Sequence, residues 1–175
     1  MRSDEELMAA YVAGEAGAIR ELFERYGPVL GRMGRRHGLS DSDAEDLVQQ
    51  TFLLLHRARR DFRPGARLRP WLFTIANNVR REFFRRAMRK PEVSLEEPDR
   101  VTEPRGMGDR QVAAHDVAKG LAALTDDQRE VIVLHWFEGL SFPEISSVVG
   151  ASVSAVKVRA HRGYEVLRRR MGGAP

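Results

Sequence analysis

Along nearly all of this 175-residue chain the apolar residues recur at steps of three and four, and no segment alternates as a half-buried strand would. A chain patterned this way can bury its apolar surface only by packing helix against helix, so an all-α fold is expected. The pattern fails once at length. Residues 91–110 hold Pro91, Pro98, Pro104, Gly106 and Gly108, with acidic residues throughout and few large apolar ones. Such a stretch reads as a flexible acidic linker. It divides the chain into two small helical domains, an N-terminal bundle over 1–90 and a C-terminal bundle over 111–175.

Local signals place the helices. Ser3 with Glu6, Thr125 with Gln128 and Ser141 with Glu144 have capping-box spacing and predict three helix starts. Gly14 and Gly17 interrupt the first helix, Gly38 stops the second, and Ser40 or Asp41 caps a third that runs to about Arg59. Pro28 is expected to kink or split the second helix. Pro64, Gly65 and Pro70 make 62–70 a loop, after which a fourth helix runs toward Pro91. Gly139 and Gly150 end two later helices, and Ser152 caps the last, which extends to about Met171.

Charge is distributed unevenly. The net +4 of the whole chain resolves into +10 over residues 57–90 (12 basic, 2 acidic) and +5 over 157–175 (6 basic, 1 acidic), in an otherwise acidic sequence. Two separate basic blocks suggest two nucleic-acid faces. With no cysteine there is no disulfide, thiolate metal site or cysteine nucleophile. No stretch approaches the roughly 18 apolar residues of a membrane helix, and the acidic start is unlike a signal peptide, so an intracellular soluble protein is expected.

The segment from Ser141 to Arg170 has helix-turn-helix layout. On its second helix Val153, Val156, Ala160, Tyr164 and Leu167 form a core stripe. The opposite face carries Ser154, Lys157, Val158, His161, Arg162 and Glu165, with donors suited to base edges and phosphates. The fourth helix has its core stripe at Leu72, Ile75, Ala76, Val79 and Phe83. Its other side presents Phe73, Asn77, Arg80, Arg81 and Phe84, which suits unpaired bases that stack on rings while guanidinium groups hold phosphates. Packing of those rings on other helices is the alternative. Arg63, Arg67 and Arg69 in the preceding loop could grip a base that has left the stack. In the third helix Ala44, Leu47, Val48, Thr51, Leu54, Leu55 and Ala58 define the buried side, and Asp46, Gln49 and Leu53 form a stripe almost opposite it, flanked by Gln50, Phe52 and His56. This mixture of apolar centre and polar rim reads as a protein-docking surface.

The run Asp46-Leu-Val-Gln-Gln-Thr-Phe52, followed by Trp71-Leu-Phe-Thr-Ile-Ala-Asn-Asn78, resembles the second region of bacterial sigma factors. Leu124-Thr-Asp-Asp-Gln-Arg-Glu-Val131, Leu140-Ser-Phe-Pro-Glu-Ile145 and Val156-Lys-Val-Arg-Ala-His-Arg162 resemble the fourth. Both regions in this order, with a short connection and little else, resemble the extracytoplasmic-function (ECF) group of the sigma-70 family. The resemblance implies an alternative sigma factor, not a catalyst, that works in the cytoplasm with core RNA polymerase and promoter DNA and commonly with an anti-sigma factor. It implies polymerase docking by Asp46, Gln49, Gln50, Phe52 and Leu53. It implies capture of single-stranded −10 DNA by Arg63, Arg67, Arg69, Trp71, Phe73, Asn77, Asn78, Arg80 and Arg81. Reading of the duplex −35 element would fall to Ser152, Ser154, Lys157, Val158, Arg159, His161 and Arg162. Two departures are visible: the loop Arg63-Pro-Gly-Ala-Arg-Leu-Arg-Pro70 is more basic than usual, and Ala155 and Val158 replace the threonine and serine often found there.

Two other classes compete. A helix-turn-helix regulator with an N-terminal sensor or dimerisation domain accounts for the C-terminal half equally well, but leaves the +10 segment without a purpose. An enzyme is disfavoured. The five histidines are scattered without zinc-site spacing, and no phosphate loop or nucleophile elbow occurs. Asp41, Asp43, Glu45 and Asp46 read better as acids at a helix N-terminus than as metal ligands, so no catalytic residue, metal or cofactor is expected. The acidic linker suggests one further expectation, that it shields the basic faces until polymerase binds.

Overall fold

The computed structural model describes residues 1–89 and 109–170, and the side chains among them outside 109–114. The linker expectations fall outside the described residues. All regular structure in the described residues is helical. Four helices form the N-terminal unit: α1 (Asp4–Val12), α2 (Ala16–Arg36), α3 (Asp41–Ala58) and α4 (Leu68–Arg89). Four form the C-terminal unit: α5 (Asp109–Ala122), α6 (Asp126–Ile132), α7 (Phe142–Val149) and α8 (Val153–Arg170). A π-type stretch, Val133–Phe137, continues α6.

The starts follow the caps. Ser3, Thr125 and Ser141 each accept from the backbone of the third helical residue, and Glu6, Gln128 and Glu144 each bond back to the cap. Ser40, rather than Asp41, caps α3. Gly14, Gly38, Gly139 and Gly150 all take the left-handed conformation at helix ends. Three expectations are corrected. Gly17 lies inside α2, so Gly14 alone makes the break. Pro28 does not divide α2. It sits on the solvent side, and the carbonyl it leaves unbonded belongs to exposed Glu24, where water can satisfy it. Finally, α4 begins at Leu68, two residues before Pro70, which is tolerated in the first turn where its missing N–H has no partner to lose.

In the N-terminal unit α2, α3 and α4 pack in sequence and α1 closes the bundle against α2 and α4. Leu7, Leu22, Leu30, Leu47, Leu55, Leu68 and Leu72 fill its core. A side chain at Gly34 would meet Leu47 at 3.0 Å, so that glycine lets α2 and α3 approach. In the C-terminal unit α8 lies across α6 and α7 over Val131, Ile132, Ile145, Val148, Val156 and Ala160. Gly163 serves α8 as Gly34 serves α2, since a Cβ there would meet Ile132 at 3.0 Å.

His37 is buried where the two units meet. Its Nδ1 donates to the Met33 carbonyl at 2.9 Å, and its own carbonyl accepts from Arg129 at 3.3 Å. Burial first, and then the charge of Arg80, push its pKa down to about 3. The unfolded chain takes up this proton near pH 6.5 while the folded one refuses it, so stability is full above about pH 6.5 and falls as pH drops. The expected loss is about 1.4 kcal/mol per pH unit from this residue. Urea midpoints at pH 7.5 and 5.0 measure it, and His37→Leu should remove that part of the slope.

Candidate nucleic-acid and docking surfaces

In α7 and α8 the sequence reading and the geometry agree closely. Gly150 in the left-handed conformation, followed by Ala151 and Ser152, turns the chain between the two helices, and Ser152 Oγ accepts from the Ala155 N–H at 3.2 Å. Val156 and Ala160 are buried, while Val153, Tyr164 and Leu167 are partly buried beside them. Ser152, Ser154, Lys157, Val158, His161, Arg162 and Glu165 are all exposed. Val158 stands 48% exposed among the cations. Arg159 lies off this face, with its guanidinium 2.9 Å from Asp127 of α6. The surface is a donor-rich strip on a rigid helix, able to enter a duplex major groove.

On α3, Asp46, Gln49, Gln50 and Leu53 form an exposed strip, with Leu53 45% exposed. Two expectations about this helix are corrected. Phe52 is buried, because Phe23 of α2 packs against it with ring centroids 4.9 Å apart. Leu54, assigned to the core stripe, is exposed instead. His56 meets the Tyr11 hydroxyl of α1.

The expected open face of α4 is covered. Phe73, Asn77 and Arg80 are buried, and the side of α4 that carries them packs against the C-terminal unit, α7 above all. Arg80 is 1% exposed. It donates to Asp126 at 3.2 Å and to Glu130 at 2.7 Å, and its Nε donates to Asn77 Oδ1 at 3.1 Å. Arg81 grips Glu130 with two nitrogens, at 3.2 and 3.0 Å, and reaches the Val149 carbonyl at 3.4 Å. The reason is charge matching: two guanidinium groups need acids, and α6 supplies them at the right separation. Phe84 is half-buried, with Arg80 over its ring.

The loop basics divide. Arg63 is exposed, Arg67 pairs with Glu144 at 2.6 Å, and Arg69 donates to the Glu138 carbonyl at 2.5 Å. Trp71 is half-buried and packs on Phe62, with centroids 5.2 Å apart. Asn78 is exposed and lines an open cleft of about 360 Å³ with Leu54, Arg57, Ala58, Asp61 and Ile75. Where α2 meets the C-terminal unit, Arg36 lies over the Phe137 ring at 4.1 Å and 3.3 Å from the Glu138 carboxylate. Burial raises the Glu138 pKa, and Arg36 only partly opposes this. Glu144 is held below its usual range, chiefly by the Ser141 backbone N–H.

Sequence reasoning missed an apolar groove of about 760 Å³ between α5 and the end of α6, lined by Val117, Leu121 and Phe137 and rimmed by Arg35, Arg36 and Arg129. Exposed Trp136 continues it, tied to Tyr164 by an N–H to hydroxyl bond. A tryptophan and a phenylalanine just past the four-residue apolar run Val131–Leu134 were the available signal. Among the described residues no helix is long and apolar enough to cross a membrane, and no cluster of His, Asp and Glu could hold a metal.

The family model for sigma-70 region 2 matches residues 22–90, and the model for sigma-70 region 4 matches residues 115–167. The RNA polymerase sigma factor CarQ of Myxococcus xanthus is 38% identical over 94% of this chain and 95% of its own length. This chain belongs to the ECF group of the sigma-70 family. ECF sigma factor SigM of Mycobacterium tuberculosis is 32% identical to this sigma factor over 98% of its length and 86% of SigM. The solved structure of CnrH in complex with the cytosolic domain of CnrY superposes with a TM-score of 0.76 at 30% identity, covering 98% of this chain and 99% of CnrH. The sigma factor RpoE of Bartonella quintana, solved in complex with the anti-sigma factor NepR, gives 0.71 at 25% identity over 87% and 96%. The alternative sigma factor described here directs RNA polymerase to promoters. The regulator reading is not favoured, because region 2 accounts for the N-terminal half that a regulator leaves unexplained.

Proposed function

We propose that the two units, bounded as 1–90 and 111–175, divide promoter recognition between them in the cytoplasm. The N-terminal unit docks on core polymerase through Asp46, Gln49, Gln50 and Leu53 and captures the melted −10 strand. The C-terminal unit reads the duplex −35 element through Ser152, Ser154, Lys157, Val158, His161 and Arg162. The observation that carries this reading is the sorting of α8, which exposes Ser152, Ser154, Lys157, His161 and Arg162 on one side and packs the opposite side on α6 and α7.

The −10 face has two parts. Arg63, Asn78, the exposed part of Trp71 and the cleft beside Asn78 are open to a strand as the protein stands, and the cleft offers one unstacked base a place between α3 and α4. Phe73, Asn77, Arg80 and Arg81 join them only when the C-terminal unit moves aside. A guanidinium pair such as Arg80 and Arg81 then holds phosphates, which helps polymerase melt the duplex. An anti-sigma partner fits the groove at Val117, Leu121, Trp136 and Phe137, whose apolar floor and arginine rim suit an amphipathic helix with acidic flanks.

Bare duplex discriminates the sigma reading from the regulator. The free protein should leave no footprint on promoter DNA at physiological salt, since few phosphate contacts are made by either unit, and a footprint over −35 and −10 should appear on adding core polymerase. A sequence-specific footprint by the free chain would favour the regulator.

Val158 carries a sharper expectation. It offers no hydrogen bond, and among donors its methyl groups suit the 5-methyl of thymine. Replacing −35 thymines by deoxyuridine one at a time should weaken holoenzyme binding about fourfold at one position, the worth of roughly one buried methyl group. Val158→Ala should lose that sensitivity. Equal tolerance of deoxyuridine at every position removes the assignment.

A further inference from the structure

All five ion pairs between the units among the described residues have the same polarity. Arg36, Arg67, Arg80 and Arg81 come from the N-terminal unit, and Glu138, Glu144, Asp126 and Glu130 from the C-terminal unit. The basic block thus meets a run, residues 117–156, that carries five acids against two basic residues. The match is densest at Glu130, buried with a side chain 2% exposed and shared by two arginines. Arg81 holds it through the fork geometry with which a guanidinium also grips phosphate.

We propose that Glu130, with Asp126, is an intramolecular surrogate for DNA phosphate that keeps the free protein closed. The proposal rests on the sigma reading, and it assigns to the C-terminal unit the shielding first expected of the linker. Carboxylate and phosphate compete for the same two guanidinium groups, so strand capture and closure exclude one another. The contact is well suited to open. A buried ion pair returns little net stability over its separated, hydrated partners, because parting restores the hydration lost on burial. A partner that draws the units apart therefore works against only a modest free-energy difference. Glu138 adds a second contact of the same sense at Arg36, with its carbonyl on Arg69.

The test uses the full chain, which has no native cysteine and so accepts a specific dye pair. Dyes at Glu24→Cys and Arg168→Cys, both exposed positions, report the separation of the units, and a fluorescein-labelled dT20 oligonucleotide reports strand capture by the free protein. Glu130→Gln with Asp126→Asn should lower energy transfer and tighten dT20 binding at least tenfold, with far-UV circular dichroism unchanged. Should that variant fold poorly, Arg67→Cys with Glu144→Cys joined by a short bismaleimide gives the converse, a chain held closed whose dT20 binding falls at least tenfold below the unjoined form. Unchanged energy transfer and unchanged dT20 binding in the first variant, or undiminished binding in the joined chain, overturn the proposal. Run-off transcription by the parent chain separates the two claims. Normal initiation with no opening in the acid variants rejects the closure alone, whereas failed initiation rejects the sigma reading beneath it.

Discussion

Gln49→Ala with Leu53→Ala should weaken binding to core polymerase about 1000-fold while far-UV circular dichroism and thermal midpoint stay near the parent values. The size follows from where interface energy resides: a few central residues each contribute about 2 kcal/mol or more when truncated. Leu53 is the apolar centre of the α3 strip, and Gln49 lies one turn before it. Neither supports the bundle, whose side of α3 is built from Ala44, Leu47, Thr51 and Leu55, all fully buried. Phe52→Ala is the instructive contrast. It removes a buried ring packed on Phe23 and should cost about 3–5 kcal/mol of stability, so its loss of polymerase binding reports unfolding. Fluorescence anisotropy with labelled core enzyme measures the first effect. Parent-like affinity in the double variant would remove α3 as the docking face.

Lys157→Ala with Arg162→Ala should reduce −35-dependent promoter binding by the holoenzyme by two orders of magnitude or more. A contact to a base edge contributes about 1–3 kcal/mol, and two separate contacts roughly add. If one of the pair touches phosphate instead, its removal weakens all sequences alike and lowers the salt slope by about one. The two roles are thus separable by repeating the titration at several salt concentrations on matched and scrambled −35 sequences. Arg159→Ala is the internal control. Its guanidinium is engaged by Asp127, so its removal should alter promoter binding several-fold less.

The legible parts of this molecule are those decided within one turn of the chain. The three capping boxes and the left-handed glycines involve neighbours in sequence, and each helix starts or stops where they say. The exposed face of α8 was also legible, Arg159 apart, because α8 has one packed side and one wet side, the case a helical wheel describes best. It fails for α4, which is buried twice: once by its apolar stripe against α3, and again by Phe73, Asn77 and Arg80 against the C-terminal unit. Polar residues on a wheel read as solvated unless their partners are known, and those of Arg80 and Arg81 lie on α6, across the linker. Phe52 illustrates the same limit in miniature, since α3 alone does not reveal that Phe23 of α2 stands beside it. Charge partition came closest to revealing the seam. It separated a +10 block from an acidic run, but suggested only that the basic block faces nucleic acid, when in the closed protein it faces the acids of its own chain.

The most direct test of the account is run-off transcription from a promoter library with core polymerase and this protein. Initiation should move to promoters that share one −35 and one −10 element, and the Gln49→Ala/Leu53→Ala variant should fail to redirect it. Transcripts whose start sites are unchanged by adding the protein would contradict the central claim.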